Sequence, residues 1–269
     1  MVTAQRVCQE LVDDIIGYLH DDKATLCAYS LTSPATVVAA QRGLFSEIYV
    51  WARPRGPTSP PAFTVQRLVE MMKALPHIAT YVRSLHITLD PTGLDIPLID
   101  EFSDTLPEFR QLTRFSFSLY ALASTSKLLL FLAFTIPCVL CCPTLRHVEL
   151  LHMTNILPGN ASLKHLVLCS YPFELRWSPI LVRQRAALEF LALDAGMDSA
   201  GAFFDRILIH KGLDLSGVKK LYINTGFQAT ILDNAHVNRF LRVCGVTLRS
   251  LKLSLDTTPF ENGATRKLY

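Results

Sequence analysis

The stretch VRSLHITL, residues 82–89, carries apolar side chains at its first, fourth and sixth positions. Leu85 and Ile87 alternate with His86 and Thr88, the period-two signature of a strand with one buried face. The same spacing returns in LTRFSFSL (112–119), LRHVELLH (145–152), LKHLVLCS (163–170), LEFLALDA (188–195), VKKLYINT (218–225) and LRSLKLSL (248–255). The starts lie 30, 33, 18, 25, 30 and 30 residues apart. Any buried strand can imitate such a pattern once. Seven occurrences at a mean interval of about 28 residues predict a repeat array, in which each unit buries its apolar face against its neighbours.

Helical material separates most of these windows. VQRLVEMMKAL (65–75), IDEFSDTL (99–106) and NAHVNRFLRVCG (234–245) have apolar residues at helical spacing. Asn234 reads as an N-cap and Gly245 as a C-terminal stop. The short interval between residues 145 and 163 leaves room for a loop around Pro158-Gly159. Strand, helix, strand at a fixed period predicts an α/β chain whose parallel sheet coils into a curved, irregular solenoid.

Composition sets bounds on the rest. Half of the 269 residues are apolar and 18% are charged, which provides for a core and argues against global disorder. Lys plus Arg is 26 and Asp plus Glu is 23, and no basic run exceeds two residues, so no nucleic-acid partner is expected. Seven irregularly spaced cysteines with no signal peptide predict reduced thiols in the cytoplasm or nucleus. There the sequon at Asn160 has no use. The uncharged run Leu128–Cys142 spans 15 residues, short of the roughly 20 a membrane helix needs, and Pro137 interrupts it. A buried helix is expected there, and no membrane partner.

RPRGPTSPP (53–61) holds four prolines and a glycine, which excludes a helix or sheet interior. It divides the chain into a helical module (1–52), a Pro-rich linker (53–63) and the repeats (64–269). In the module, Leu11, Ile15 and Leu19 recur at four-residue steps, Val12 and Ile16 widen the stripe, and Asp13 and Asp14 face away. Asp21 or Asp22 can cap a second helix carrying Leu26, Cys27 and Leu31. Ser33-Pro34 opens a third through Val37, Val38, Ala40 and Leu44-Phe45. Three helices in about 45 residues are marginal alone and must lean on something.

From about Val65 to Leu255 the chain resembles the leucine-rich-repeat family. That family usually has Asn or Cys at the ninth motif position, where this chain has Asp90, Tyr120, Met153, Tyr171, Gly196, Gly226 and Asp256. The departure predicts irregular repeats. Residues Arg6 to about Val50, through QELVDDIIGYLHDDKATLCAYSL and RGLF, resemble the F-box, especially the versions preceding leucine-rich repeats in fungal families. That resemblance implies that the three helices bind the Skp-type adaptor of a cullin ubiquitin ligase through Leu11, Ile15, Ile16, Leu19, Leu26 and Leu31. It implies also that the repeats hold a protein substrate. Val7-Cys8 replaces the family's Leu-Pro, and Thr36 replaces its tryptophan. The other reading of the module is a helical cap that binds nothing.

Signatures of chemistry are weak. Cys138, Cys141 and Cys142 with His147 and His152 lack the spacing of a zinc finger, and no cofactor or metal is expected. No G-x-S-x-G, H-E-x-x-H or phosphate loop occurs, so no catalytic residue is assigned. If the fourth and sixth positions point inward, the third, fifth and seventh form the opposite, concave face. That face includes Arg114, His147, Glu149, His165, Phe190, Lys220, Tyr222, Asn224 and Lys252, a mixture suited to protein recognition. The other reading is a merely solvated face. The chain therefore reads as a non-catalytic substrate-recognition subunit of an SCF-type ubiquitin ligase. The alternatives are a non-ligase repeat scaffold with an N-terminal helical cap, and an enzyme of unrecognised type.

Overall fold

The structure, a computed structural model, describes residues 8–19, 21–32, 34–51, 63–89, 96–119, 135–151, 160–170, 186–195, 205, 207–208, 213–224 and 234–254. Its strands are β1 (Glu47–Trp51), β2 (Ser84–Leu89), β3 (Arg114–Leu119), β4 (His147–Leu151), β5 (His165–Ser170), β6 (Ala186–Ala187), β7 (Phe190–Ala195), β8 (Leu213–Asp214), β9 (Lys220–Asn224) and β10 (Ser250–Ser254). Its helices are α1 (Gln9–Gly17), α2 (Lys23–Ser30), α3 (Pro34–Phe45), α4 (Val65–Ala74), α5 (Ile96–Thr105), α6 (Ile136–Leu140) and α7 (Asn234–Cys244).

Eight strands form one open parallel sheet in the order β1-β2-β3-β4-β5-β7-β9-β10, and β6 pairs with β8 in a second, two-stranded sheet. All seven repeat windows contribute a strand to the large sheet, in one common register. The backbone explains that register. The carbonyl of each window's second residue accepts from two consecutive N–H groups of the next unit, as when Arg83 O receives Thr113 N at 2.8 Å and Arg114 N at 3.0 Å. The bond pair recurs at Thr113, Arg146, Lys164, Glu189 and Lys219. Side chains add rungs: Thr144 Oγ1 donates to Leu112 O at 2.7 Å and Thr247 Oγ1 to Val218 O at 3.1 Å. The buried Asn160 amide donates to the Cys142 carbonyl, so the side chain of the sequon is engaged inside the fold. The ninth motif positions lie outside the described residues.

The inward rows match the sequence pattern. Leu85, Phe115, Val148, Leu166, Leu191 and Leu221 are buried, and so are Ile87, Phe117, Leu150, Leu168, Leu193 and Ile223. Burying each contributes about 1.5–3 kcal/mol. On β10, which has a strand neighbour on one side only among the described residues, the equivalent Leu251 and Leu253 are 42% and 58% exposed.

The helices cover this inward face. Thr64 caps α4 by accepting from Arg67 N, and Val65, Leu68, Val69 and Met72 recur on one side of it, all buried. Ile99, Phe102 and Leu106 of α5 and its following turn, Ile136, Val139 and Leu140 of α6, and Phe240 and Cys244 of α7 join the same core. The helix α7 begins at Asn234 itself rather than after it. Gly245 ends it, where an added Cβ would meet Leu241 O at 2.5 Å. Of the run 128–142, residues 135–142 are described: α6 is a short buried helix. Among the described residues no helix is long and apolar enough to cross a membrane.

One strand was not anticipated. Residues 47–51, assigned above to the helical module, form β1 and pair in register with β2. Phe45, Ile48 and Val50 have the first, fourth and sixth spacing of the other windows. The large sheet therefore begins before the Pro-rich stretch, whose residues 53–61 lie outside the described set.

Candidate functional site

The face opposite the helices is built from three rows, one residue per strand. The first runs Glu47, Ser84, Arg114, His147, His165, Phe190, Lys220, Ser250. The second runs Tyr49, His86, Ser116, Glu149, Val167, Ala192, Tyr222, Lys252. Asp194 and Asn224 are partners in the third. Arg114, His147, His165, Phe190 and Lys220, expected on this face, stand consecutively in the first row. Glu149, Tyr222 and Lys252 share the second.

Parallel, in-register pairing stacks equivalent side chains about 4.8 Å apart, and rings exploit this. His147 stacks on His165 at 5.4 Å between centroids, and His165 on Phe190 at 5.7 Å. At the far edge, Tyr49 and His86 stack at 4.6 Å. At the other, Lys252 Nζ lies 5.1 Å from the Tyr222 ring centre. Val167, Phe190, Ala192 and Tyr222 form a separate apolar cluster on this side of the sheet.

The middle of the face is buried. Glu149, Cys169, Asp194 and Asn224 are all buried, as is Phe190. Glu149 and Phe190 thus pack within the face, whereas Lys220 and Lys252 are exposed and Arg114, His147, His165 and Tyr222 are half-buried. Burial raises the Glu149 carboxyl above its ordinary value, against the opposing pull of His86, Arg114 and a hydrogen bond from Ser116. Burial pushes His147 down to about 3, helped by the positive charge of Arg114 and by His165 and His86. His165 is lowered by burial too, with Lys220 and Arg114 adding to the effect and Glu189 opposing it. The Cys169 thiol, which donates to Asp194 Oδ2 at 3.7 Å, is pushed far up by burial and by the Asp194 and Glu149 carboxylates. It stays a thiol and is a poor nucleophile.

The other cysteines do not gather. Cys138 and Cys141 are exposed, and the buried Cys142 thiol is directed at the Arg110 carbonyl (3.2 Å) and Thr144 Oγ1 (3.2 Å). His152 lies outside the described residues.

The six residues assigned to an adaptor surface divide into two sets. Ile16 and Leu26 are buried and pack with Ala39 as the module's own core, with Val12, Leu19 and Leu44 against it. Leu11 and Ile15 are about half exposed, at 53% and 47%, and Leu31 is 88% exposed. The split follows helix geometry: a stripe wide enough to hold Leu11, Val12, Ile15 and Ile16 cannot be covered by one neighbouring helix. Tyr18, not singled out from the sequence, is also 88% exposed. Asp13 does not point away from the module; its carboxylate lies 3.7 Å from Arg42 of α3. Asp22 caps α2, accepting from Thr25 N at 2.9 Å. Thr36 donates to the Tyr29 carbonyl at 2.8 Å and so ties α3 to the end of α2.

Sequence reasoning missed Glu47 and Tyr49 as members of the face. Their signal was the Phe45-Ile48-Val50 spacing, obscured because it follows a helix without a break. No protein-family model matches the sequence, and no curated protein matches it.

Proposed function

We propose that this chain is a non-catalytic substrate-recognition subunit of an SCF-type ubiquitin ligase. In this reading α1–α3 form an F-box-like module that binds a Skp-type adaptor. The units from β1 to β10 form an irregular leucine-rich-repeat solenoid that holds a protein substrate on its concave face, the sheet face opposite the helices. The observation that carries the reading is the exposed apolar set Leu11, Ile15, Tyr18 and Leu31 on a module whose buried core is Ile16, Leu26 and Ala39. These side chains lie outside the module's own buried core, and large apolar side chains left in solvent are what a partner would cover. Working in the cytoplasm or nucleus, where thiols stay reduced, agrees with the cysteines, which are all free.

The second reading is a repeat scaffold outside any ligase, its helices a cap. Thr36 favours it, since a hydroxyl bonded to Tyr29 O offers a partner no large anchor. A pull-down of purified adaptor separates the two. Wild type retains adaptor if the first reading holds, and Ile15→Asp loses it while circular dichroism stays unchanged. A wild type that never retains adaptor supports the scaffold.

A further inference from the structure

The second residue of each repeat window lies just ahead of its strand, on the rim where the chain enters the sheet. Its carbonyl anchors the next unit, so the rim's backbone positions are spaced at the strand interval of about 4.8 Å. The rim side chains are Arg83, Arg146, Lys164, Glu189, Lys219 and Arg249, with Thr113 the one uncharged member. These five cations are far apart in sequence, so no basic run reveals them. The repeat period assembles them.

Their charge is only partly compensated. Glu189 holds Lys219 at 2.8 Å and Lys164 at 3.7 Å. Arg83 donates to the Thr80 carbonyl at 3.0 Å and has no carboxylate partner among the described residues. Arg146 and Arg249 have no carboxylate partner among the described residues. Among the described residues, exposed acids lie on the helical module at Asp14, Asp21 and Asp22 and on α5 at Asp100 and Glu101.

We infer that this rim docks an extended, acidic segment of a partner protein. From Arg83 to Arg249 the rim crosses six strand intervals, about 29 Å, the length of about nine extended residues. Two features favour a protein segment over a nucleic-acid strand. Glu189 interrupts the positive row at its middle, where a peptide can place an uncharged residue but a nucleic-acid strand, charged at every nucleotide, cannot. In the adjoining row His165 is stacked on both sides, by His147 and by Phe190, so the central ring cannot sandwich a base. None of the rim residues lies on α1–α3, so the inference is independent of adaptor binding.

The test uses the full chain and fluorescence anisotropy with a labelled polyglutamate peptide, beside an oligothymidylate of equal charge. The peptide binds, and its affinity falls as sodium chloride is raised. The triple variant R83Q/R146Q/R249Q weakens it about tenfold, the sum of three exposed ion pairs. The control R67Q/K73Q/R242Q, which removes as many charges from the helices, changes it less than about twofold. Glu189→Gln frees Lys164 and Lys219 and tightens binding. Thermal melts are unchanged in the rim variants, because the substituted side chains are at the surface. Equal effects of rim and control variants, weaker binding by Glu189→Gln, no peptide binding by wild type, or tighter binding of the oligothymidylate would each overturn the inference.

Discussion

The imidazole of His86 lies flat on the ring of Tyr49, centroids 4.6 Å apart and planes 10° apart, while its Nε2 faces Glu47 Oε1 at 3.3 Å. Tyr49 closes the group by donating its hydroxyl to the same Glu47 oxygen at 2.8 Å. The side chains of β1 and β2 thus reinforce the ladder that joins the first strand to the repeats.

Glu47 makes that junction pH-sensitive. Hydrogen bonds from His86, and from Tyr49 against the cost of burial, hold its carboxyl at about 2 rather than 4.5. A depressed carboxylate contributes stability that is present above the unfolded value and lost as the pH falls through 4.5 toward 2. Because the side chain is 42% exposed, screening reduces the contribution. Glu47→Gln is expected to cost about 1 kcal/mol at pH 7. Urea titrations of both proteins check this: the gap between them narrows steadily below pH 4.5.

His147 acts in a higher window. Its folded value of about 3 against 6.5 means that the unfolded chain takes up a proton the native state refuses. Stability from this site is complete above pH 6.5 and is lost as the pH falls toward 3, with a slope of up to about 1.4 kcal/mol per pH unit. His147→Phe keeps a ring against His165 and has nothing to titrate. Denaturation midpoints of the variant between pH 7.5 and 5 should vary less than those of wild type, as read by urea titration.

Glu149 works in the opposite direction. Its raised carboxyl binds a proton more readily in the folded state, so its contribution is complete below the ordinary value of 4.5 and is lost as the pH rises through the folded value. Glu149→Gln removes that loss and retains an acceptor for Ser116. It is expected to be at least as stable as wild type at pH 7 and to gain relative to it as the pH rises from 4.5. A variant that is destabilised equally at every pH would show that the carboxylate has a partner that outweighs its burial.

The fold was legible in the sequence wherever burial repeats with a fixed period. Leu85 and Ile87, Phe115 and Phe117, or Leu221 and Ile223 are covered by helices, and their alternation marks both the strand and its inward phase. Ile48 and Val50 have the same alternation, but β1 follows α3 after Ser46 alone and reads as the tail of that helix. The two-residue strands β6 and β8 are too short for any period. On the outer face the sequence indicated which residues share a row, since rows follow from register. It did not indicate that Glu149, Cys169, Asp194 and Asn224 are buried there. An alternating pattern reports one covered face and is silent about the other. In the module, Ile15 and Ile16 are the same residue type one position apart, and only the place of α3 decides which of them is buried.

Gly245 ends α7 because a side chain does not fit. A Cβ there would stand 2.5 Å from Leu241 O, a backbone atom that cannot swing aside. Gly245→Ala is expected to destabilise the protein by at least about 1 kcal/mol, despite the loss of unfolded-state entropy that normally favours alanine. The thermal midpoint measures this. An unchanged midpoint would mean that the last turn of α7 shifts at little cost.

Leu26 and Ile15 test how the helical module divides its apolar residues. Leu26 is fully buried between Ile16 and Ala39, and its methyl carbon lies where a Cβ on Gly43 would come within 2.9 Å, so α2 and α3 are in close contact there. Leu26→Ala leaves a cavity that such tight packing cannot collapse, at about 2–5 kcal/mol. The core holds few other residues, so this loss unfolds α1–α3. Ile15 is half in solvent, and Ile15→Ala is expected to cost within about 0.5–1 kcal/mol. Amide hydrogen exchange reads both variants locally. Leu26→Ala should lose protection across 9–45 while strands β3 to β9 keep theirs, because they are held by the separate core of Phe115, Phe117, Leu166 and Leu191. Ile15→Ala should match wild type throughout. If Ile15→Ala also strips protection from the helices, the side chain is part of their packing and is not a surface kept free for a partner.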